Sequence, residues 1–331
     1  MSAPLAGAAP RPVVVVTRRL PARVHEALAV RYDVRLNPLD TPPGPRELAD
    51  AMRVADALLC TVTDRLPREL LAAEPRRVRI VANYGVGVNH VDLAAARELG
   101  IVVTNTPDVL TDDTADLAMA LLLAVARRTT EGEQLLRAGA WEGWAPTQLL
   151  GTRVTGKTLG IVGYGRIGRA MARRASQGFG MRVLYHSRRP PTAADSGDAG
   201  AEWCERLDDL LAESDFVSLH CPATPETHHL IDASALRRMR RTAYLVNTAR
   251  GTVVDEAALA AALADGTIAG AGLDVYEHEP TVSPALLTAP NVVLLPHLGS
   301  ATMETREAMG MRALRNLDAF FSGATPPDRV A

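Results

Sequence analysis

The sequence predicts an α/β protein of two doubly wound parallel-sheet domains. Three observations carry that prediction. Short apolar runs alternate with helical patterns along most of the chain. A glycine-rich turn, Gly163-Tyr164-Gly165-Arg166-Ile167-Gly168, joins an apolar strand to a helical pattern in mid-chain. The 331 residues, 47% apolar and 22% charged, are enough for two soluble cores.

Val13 to Val16 is a β-branched run of the kind expected in a strand covered on both faces. Pro21 then opens a helix at a position that proline tolerates. The alternation continues with a strand near Val34–Leu36, a helix from about Arg46 to Met52, a strand at Ala57–Cys60, a helix around Pro67–Ala73 and a strand at Val78–Ala82. A helix at Asp92–Leu99 stops at Gly100, and Ile101–Thr104 reads as the next strand. After the fourth of these strands comes a second glycine turn, Tyr84-Gly85-Val86-Gly87-Val88. Freed amides there could hold a small anion such as a carboxylate, although a plain strand-to-helix turn reads equally well.

Asn105-Thr106-Pro107 interrupts the rhythm. Thr111 to Thr114 offers cap residues for a long helix from Ala115 to Arg127, with acids at its start and arginines at its end. Its apolar stretch, Leu117–Ala126, is shorter than the roughly 20 residues a bilayer needs and reads as a buried helix. The loop Trp141 to Pro146 carries Trp141 and Trp144, rings that mark an interface or a pocket wall, or else pack under the loop. The second half repeats strand and helix: Leu159–Val162, Arg182–Tyr185, Phe216–Leu219, Ala243–Val246, a helix at Asp255–Ala264, then Gly270–Leu273 and Val292–Leu295. A last amphipathic helix, Ala301–Phe321, can pack back on the first domain, so the second domain reads as inserted into the first, with the cleft between them as the place for chemistry.

The three glycines of the central turn have separate jobs. Gly163 lets the backbone turn tightly, Gly165 removes a side chain that would keep a pyrophosphate away, and Gly168 lets the helix lie close on the strand. Amides and the positive helix end then hold the phosphates. The strand after that helix is expected to end in an acid for the ribose of NAD, but it ends in His186-Ser187-Arg188-Arg189. Arginine grips a 2′-phosphate with paired charge-assisted bonds, so the expectation is a preference for NADP(H), with NAD(H) as a second cofactor. The bland alternative is that Arg188 and Arg189 are solvated loop charges.

Three later strand ends deliver polar residues to the edge where such sheets bind ligands. They are Asn247 to Gly251, Asp274 to Pro280, and Pro296-His297. Arg250 can hold a substrate carboxylate or keto oxygen. His297 can give that oxygen a proton while hydride arrives at the carbon, since an ordinary imidazole titrates at about 6.5. Glu279 can orient the imidazole and favour its charged form.

Long ordered motifs then identify a resemblance. Tyr84 to Asp92, Val103 to Pro107, the GYGRIG turn, Leu245 to Gly251, Gly272 to Pro280 and Leu295 to Ser300 together resemble the D-isomer-specific 2-hydroxyacid dehydrogenases, nearest to the glyoxylate/hydroxypyruvate reductase branch. The resemblance implies a Rossmann nucleotide-binding domain, residues 106–297, inserted into a flavodoxin-like substrate domain made of residues 1–105 and 298–331. It implies that Arg250, Glu279 and His297 are catalytic and that the amides of Val86 and Gly87, with Tyr84 and Trp144, meet the substrate. Cofactor contacts are expected from Thr114, Gly163, Gly165, Arg166, Ile167, Gly168, Ser187, Arg188, Arg189, Cys221, Pro222, Thr248, Asp274 and His297. It also implies a homodimer in which the tryptophan loop reaches towards the partner.

Other classes fit less well. A net charge of -2 gives no footprint for nucleic acid or an anionic membrane. Three scattered cysteines make neither a disulfide framework nor a zinc site and suit a reducing cytoplasm. The Ala/Pro-rich start, Met1 to Pro12, lacks the features of a signal peptide. Lys157, the only lysine, lies at the entrance to the nucleotide strand, so a Schiff-base mechanism would have to use it. His220, Cys221, His228 and His229 match no tetrahedral metal spacing, and no metal is expected. Phosphite oxidisers of the same family are expected to carry a lysine near Tyr84, which is absent here. A bulkier 2-keto acid, or service as a dinucleotide-sensing corepressor, are the remaining alternatives, since fold alone does not fix function.

Overall fold

The computed structural model of the chain describes residues 10–189 and 200–331. They divide into two compact units, one holding the described residues through Leu110 together with Ala301–Ala331, the other Thr111–Ser300. In chain order the first unit begins with β1 (Val13–Val16), α1 (Ala22–Arg31), β2 (Asp33–Leu36), α2 (Pro45–Val54), β3 (Ala57–Cys60), α3 (Arg68–Leu71), β4 (Ile80–Asn83), α4 (Leu93–Glu98) and β5 (Val102–Thr104). Its sheet is parallel throughout, in the order β2-β1-β3-β4-β5. Strands β3 and β4 are buried along their whole length, as a parallel sheet covered on both faces requires. Strand β2, at the edge, is mostly exposed and correspondingly polar.

The second unit runs from α5 (Thr111–Ala126) and α6 (Thr129–Arg137) into β6 (Thr158–Val162), α7 (Arg166–Arg173), β7 (Arg182–His186), β8 (Glu202–Trp203), α8 (Leu207–Glu213), β9 (Phe216–Leu219), α9 (Ala233–Arg238), β10 (Tyr244–Asn247), α10 (Glu256–Ala264), β11 (Gly270–Leu273), α11 (Pro284–Leu287) and β12 (Val292–Leu294). Its seven strands lie in the order β12-β11-β10-β9-β6-β7-β8, again all parallel. The order reverses at β6, whose neighbours are β7 and β9. That reversal opens a crevice at the carboxyl end of β6, where α/β sheets bind ligands. Two apolar clusters fill the two faces of this sheet: Leu159, Ile161 and Phe216 pack with α5 and α7, while Val162, Leu219 and Leu245 pack on the other side. Burying a side chain such as Leu159 contributes about 1.5–3 kcal/mol. The final helix, α12 (Met303–Phe321), belongs to the first unit and packs Leu314 and Leu317 into the cluster that holds Val14, Val24 and Leu28.

Several boundaries differ from the sequence reading. Helix α5 begins at Thr111, so Asp112 and Asp113 lie in its first turn and Thr114 is buried inside the helix, not a cap before it. The last helix begins at Met303, because the Thr302 side chain accepts the Thr305 N–H and caps it there. Helix α7 ends at Arg173 and runs on as π-helical turns over Arg174–Gly178, which sequence periodicity does not signal. The two-residue strand β8 and the short helices α8 and α9 were not legible at all.

Candidate active site

At the central turn, β6 delivers Gly163 with φ +94, a left-handed conformation that favours glycine. A Cβ there would lie 2.6 Å from the Cys221 amide nitrogen. A Cβ on Gly168 would lie 2.3 Å from the Gly163 carbonyl oxygen, so this glycine lets α7 approach its own turn. Gly165 is different: it is exposed, it stands at the N-cap of α7, and a Cβ on it would meet nothing within 4 Å. The turn is thus open on one side, in front of the amino-terminal end of α7, which is the cradle a pyrophosphate fits. Thr248, at the end of β10, adds a buried hydroxyl without a hydrogen-bond partner among the described residues. Arg188 and Arg189 follow β7 and are exposed, while Ser187 donates to the Arg189 carbonyl over 2.8 Å.

Parallel pairing sets the chemistry-bearing loops at one edge. Asn247 pairs with Leu273 and Leu273 with Leu294, so β10, β11 and β12 end in register, and Arg250, Glu279 and His297 leave from the same edge. His297 Nδ1 lies 2.8 Å from Glu279 Oε2. Burial pushes the Glu279 carboxyl up, but the hydrogen bond and charge of His297 outweigh it and leave this group below the usual glutamate range. Burial likewise pulls the Arg250 guanidinium down while the Glu279 carboxylate pulls it back up. The Arg250 loop is shaped by buried Asn247, which accepts from the Ala249 N–H at 3.0 Å and donates to the Arg250 carbonyl at 2.9 Å.

His297 has φ +56, a conformation costly for a residue with a Cβ. Its neighbours hold it there. The His297 N–H donates to the Asp274 carbonyl at 2.9 Å, and the Asp274 carboxylate accepts the amides of Leu298 at 2.6 Å and Gly299 at 2.8 Å. Burial pushes the Asp274 carboxyl up, partly offset by those amides. Thr114 Oγ1 donates to the Gly299 carbonyl at 3.0 Å. Thr114 and Asp274, expected beside the cofactor, are therefore also the pins of the loop that carries His297.

In the first unit, the carbonyls of Gly85, Val86 and Gly87 in the Tyr84–Val88 turn are engaged. Asn83 Nδ2 donates to Gly85 and Gly87, Asn105 Nδ2 to Val86, each at 2.9 Å, and the Thr106 amide also reaches Gly85. No bond from the Val86 or Gly87 amide occurs among the described residues. With the oxygens turned away, the two amides are left for an anion. Tyr84 is buried, its hydroxyl donates to the Arg306 carbonyl at 2.5 Å, and burial pushes that phenol up to about 12. Its side chain belongs to the apolar cluster that also holds Ala82, Met309 and Leu314.

The profile of the D-isomer-specific 2-hydroxyacid dehydrogenase NAD-binding domain matches residues 119–299. A glyoxylate reductase of Thermococcus litoralis is 48% identical over 325 residues, covering 97% of each chain. The chain belongs to the D-isomer-specific 2-hydroxyacid dehydrogenases. Among solved structures of this family's relatives, a Thermus thermophilus protein is 46% identical with a TM-score of 0.88, covering 96% of this chain and all of that one. The NADPH-dependent glyoxylate/hydroxypyruvate reductase of Sinorhizobium meliloti, solved with NADP and malonate, is 40% identical with a TM-score of 0.86, covering 97% of both chains.

Other residues of this dehydrogenase fall outside the central cluster. Cys221 lies against Gly163, and burial pushes its thiol up to about 11. Pro222 offers its carbonyl to Thr227 Oγ1 at 2.7 Å. His220 is drawn down to about 4 by burial and bonds Ser218 Oγ at 2.9 Å, and His229 pairs with Glu277. No group of three or more His, Cys, Asp or Glu converges as a metal site among the described residues. Trp144 is 82% exposed and Trp141 51%, so neither packs under its loop within one chain. Sequence reading missed Asn83 and Asn105 as the residues that turn the carbonyls away, and Glu256 and His229 beside the Glu279 loop. An asparagine just before a glycine turn was the available signal for Asn83, whereas Asn105 reaches Val86 only in the folded chain.

Proposed function

We propose that this dehydrogenase reduces a small 2-keto acid, such as glyoxylate or hydroxypyruvate, to the 2-hydroxy acid, the D-isomer where the product is chiral, with NAD(P)H, preferring NADPH. The observation that carries this reading is the His297–Glu279 pair beside Arg250 at the ligand-binding edge of the nucleotide sheet. The bound nicotinamide would supply a hydride for the keto carbon. Because Glu279 engages Nδ1, Nε2 of His297 is the nitrogen left to give its proton to the keto oxygen. Arg250, charged at any working pH, holds the substrate carboxylate or its keto oxygen. Val86 and Gly87 amides are assigned to the carboxylate.

The domain assignment follows the same reading, with 106–297 binding nucleotide and 1–105 with 298–331 binding substrate. Arg188 and Arg189 with Ser187 support the choice of NADPH, as does the NADPH dependence of the Sinorhizobium relative. A homodimer is assigned on the exposed apolar surface of Leu136, Trp141, Trp144 and Leu150, which a second copy would cover. Partners are thus limited to the small acid, the cofactor and a second chain, in the cytoplasm, with no nucleic acid or membrane. No helix among the described residues is long and apolar enough to cross a membrane.

The test of cofactor choice compares kcat/KM for NADPH and NADH on one keto acid. A ratio of at least about tenfold for NADPH, worth about 1.4 kcal/mol, that falls to near unity in Arg188→Ala/Arg189→Ala supports the reading. Equal efficiencies in the parent contradict it.

A further inference from the structure

One network next to the candidate site has no role in the mechanism above. The peptide between Tyr276 and Glu277 lies between the Arg250 loop and the Glu279 loop. Gly251, the residue after Arg250, packs so close to it that a Cβ would stand 1.8 Å from the Tyr276 carbonyl carbon and 2.3 Å from the Glu277 nitrogen. In the preceding peptide, joined to it at the Tyr276 Cα, the Tyr276 N–H donates to Glu279 Oε1 at 3.1 Å. Whatever fixes the Tyr276–Glu277 peptide against the Arg250 loop therefore also places, through the shared Tyr276 backbone, the donor that holds Glu279.

Two side chains fix it. Glu256, buried in the first turn of α10, accepts the Glu277 N–H on Oε1 at 2.6 Å. His229 Nε2 lies 2.5 Å from Glu277 Oε1. The His229 N–H also donates to the Thr252 carbonyl at 2.9 Å, in the 3₁₀ turn Gly251–Val253 that follows Arg250. His229 therefore holds both loops at once, its backbone on the Arg250 side and its ring on the Glu277 side. It does so from φ +50, a conformation that costs free energy for a non-glycine residue. Exposed His278, 4.0 Å from Glu277 Oε2, is a weaker neighbour of the same carboxylate. A buried acid such as Glu256 is expensive unless its oxygens are used, and here one of them takes the amide that sets the Glu279 loop.

We infer that Glu256 and His229 are positioning residues for the reduction, holding the Tyr276–Glu277 peptide so that Glu279 keeps His297 aligned beside Arg250. Neither touches substrate or cofactor in this account. The inference rests on the reductase reading, since it names Glu279 as the group through which both act.

The test is a double-mutant cycle on kcat for glyoxylate reduction by the full-length protein. Glu256→Ala is expected to lower kcat by about tenfold or more in the parent, and by less than about threefold in the Glu279→Gln background, where the orienting carboxylate is already gone. Glu256→Gln keeps an acceptor oxygen and is expected to recover most of the rate. The KM for NADPH stays unchanged. If Glu256→Ala does not fold, as judged by its melting transition, His229→Ala gives the same comparison from a partly exposed position. Equal fold-losses in the two backgrounds, or a loss confined to the NADPH KM, overturn the inference while leaving an active reductase. No NAD(P)H oxidation by the parent overturns the reductase reading, and this inference with it.

Discussion

His297 combines three constraints in one residue: a left-handed backbone, Nδ1 held by Glu279, and a following loop pinned by Asp274. Proton donation is its proposed part in the reaction, so His297→Ala is expected to lower kcat by about 10²–10⁴-fold. The dissociation constant for NADPH, measured by fluorescence, should change little. An active variant would end the proton-donor assignment. Glu279 makes a second prediction. Its carboxyl lies below the usual range because His297 holds it there, against the push of burial, so it is an anion throughout the working range. Glu279→Gln removes the charge that pairs with the protonated imidazole. The pH above which reduction slows should then move lower, and an unchanged profile would mean that Glu279 acts in another way.

At the scale of elements, the strand–turn–helix unit β6–α7 allows two glycines to be told apart. Gly165→Ala places a methyl in open space, so the fold should keep its melting temperature while NADPH affinity falls by about tenfold or more. Gly168→Ala drives a methyl against the Gly163 carbonyl, and stability should fall by about 1–3 kcal/mol. Helix α12 makes a separate prediction through its tie to the chain end. Arg312 donates twice to Asp328, at 2.8 and 2.9 Å, and Asn316 adds a third bond at 3.0 Å. Burial pushes the Asp328 carboxyl up, but these partners hold it below the usual aspartate range. A depressed native value means stability that is whole above the unfolded value of about 3.9 and is lost as pH falls through the native one. Asp328→Asn should therefore cost about 1–3 kcal/mol at neutral pH. Denaturant melts should show this difference shrinking as the buffer is taken below about pH 4.

Across the molecule, what was legible in the sequence is what has a local signal. Val13–Val16 and Phe216–Leu219 read as strands because each is a run dense enough in apolar residues to be covered on both faces. The candidate site was legible because Arg250, Glu279 and His297 each follow a strand of one parallel sheet, and register then brings them together. Other features depend on tertiary placement. Strand β8 is two residues long and exists through its pairing with Leu184 and Tyr185. Glu256 reads as an ordinary acid in a first helical turn, and only the folded chain sets its carboxylate on the Glu277 amide. The same holds for the tryptophan loop, whose exposure in a single chain predicts a dimer by light scattering and a monomer or weakened dimer for Trp141→Ser/Trp144→Ser. The reductase reading is tested by NADPH oxidation by the purified protein across a panel of small 2-keto acids, with chiral analysis of every product that has a stereocentre. One 2-hydroxy acid is expected per NADPH consumed, the D-isomer wherever the product is chiral, with glyoxylate or hydroxypyruvate among the best substrates and the rate about 10²–10⁴-fold lower in His297→Ala. Intact NADPH binding with no oxidation on any keto acid of the panel would contradict that reading.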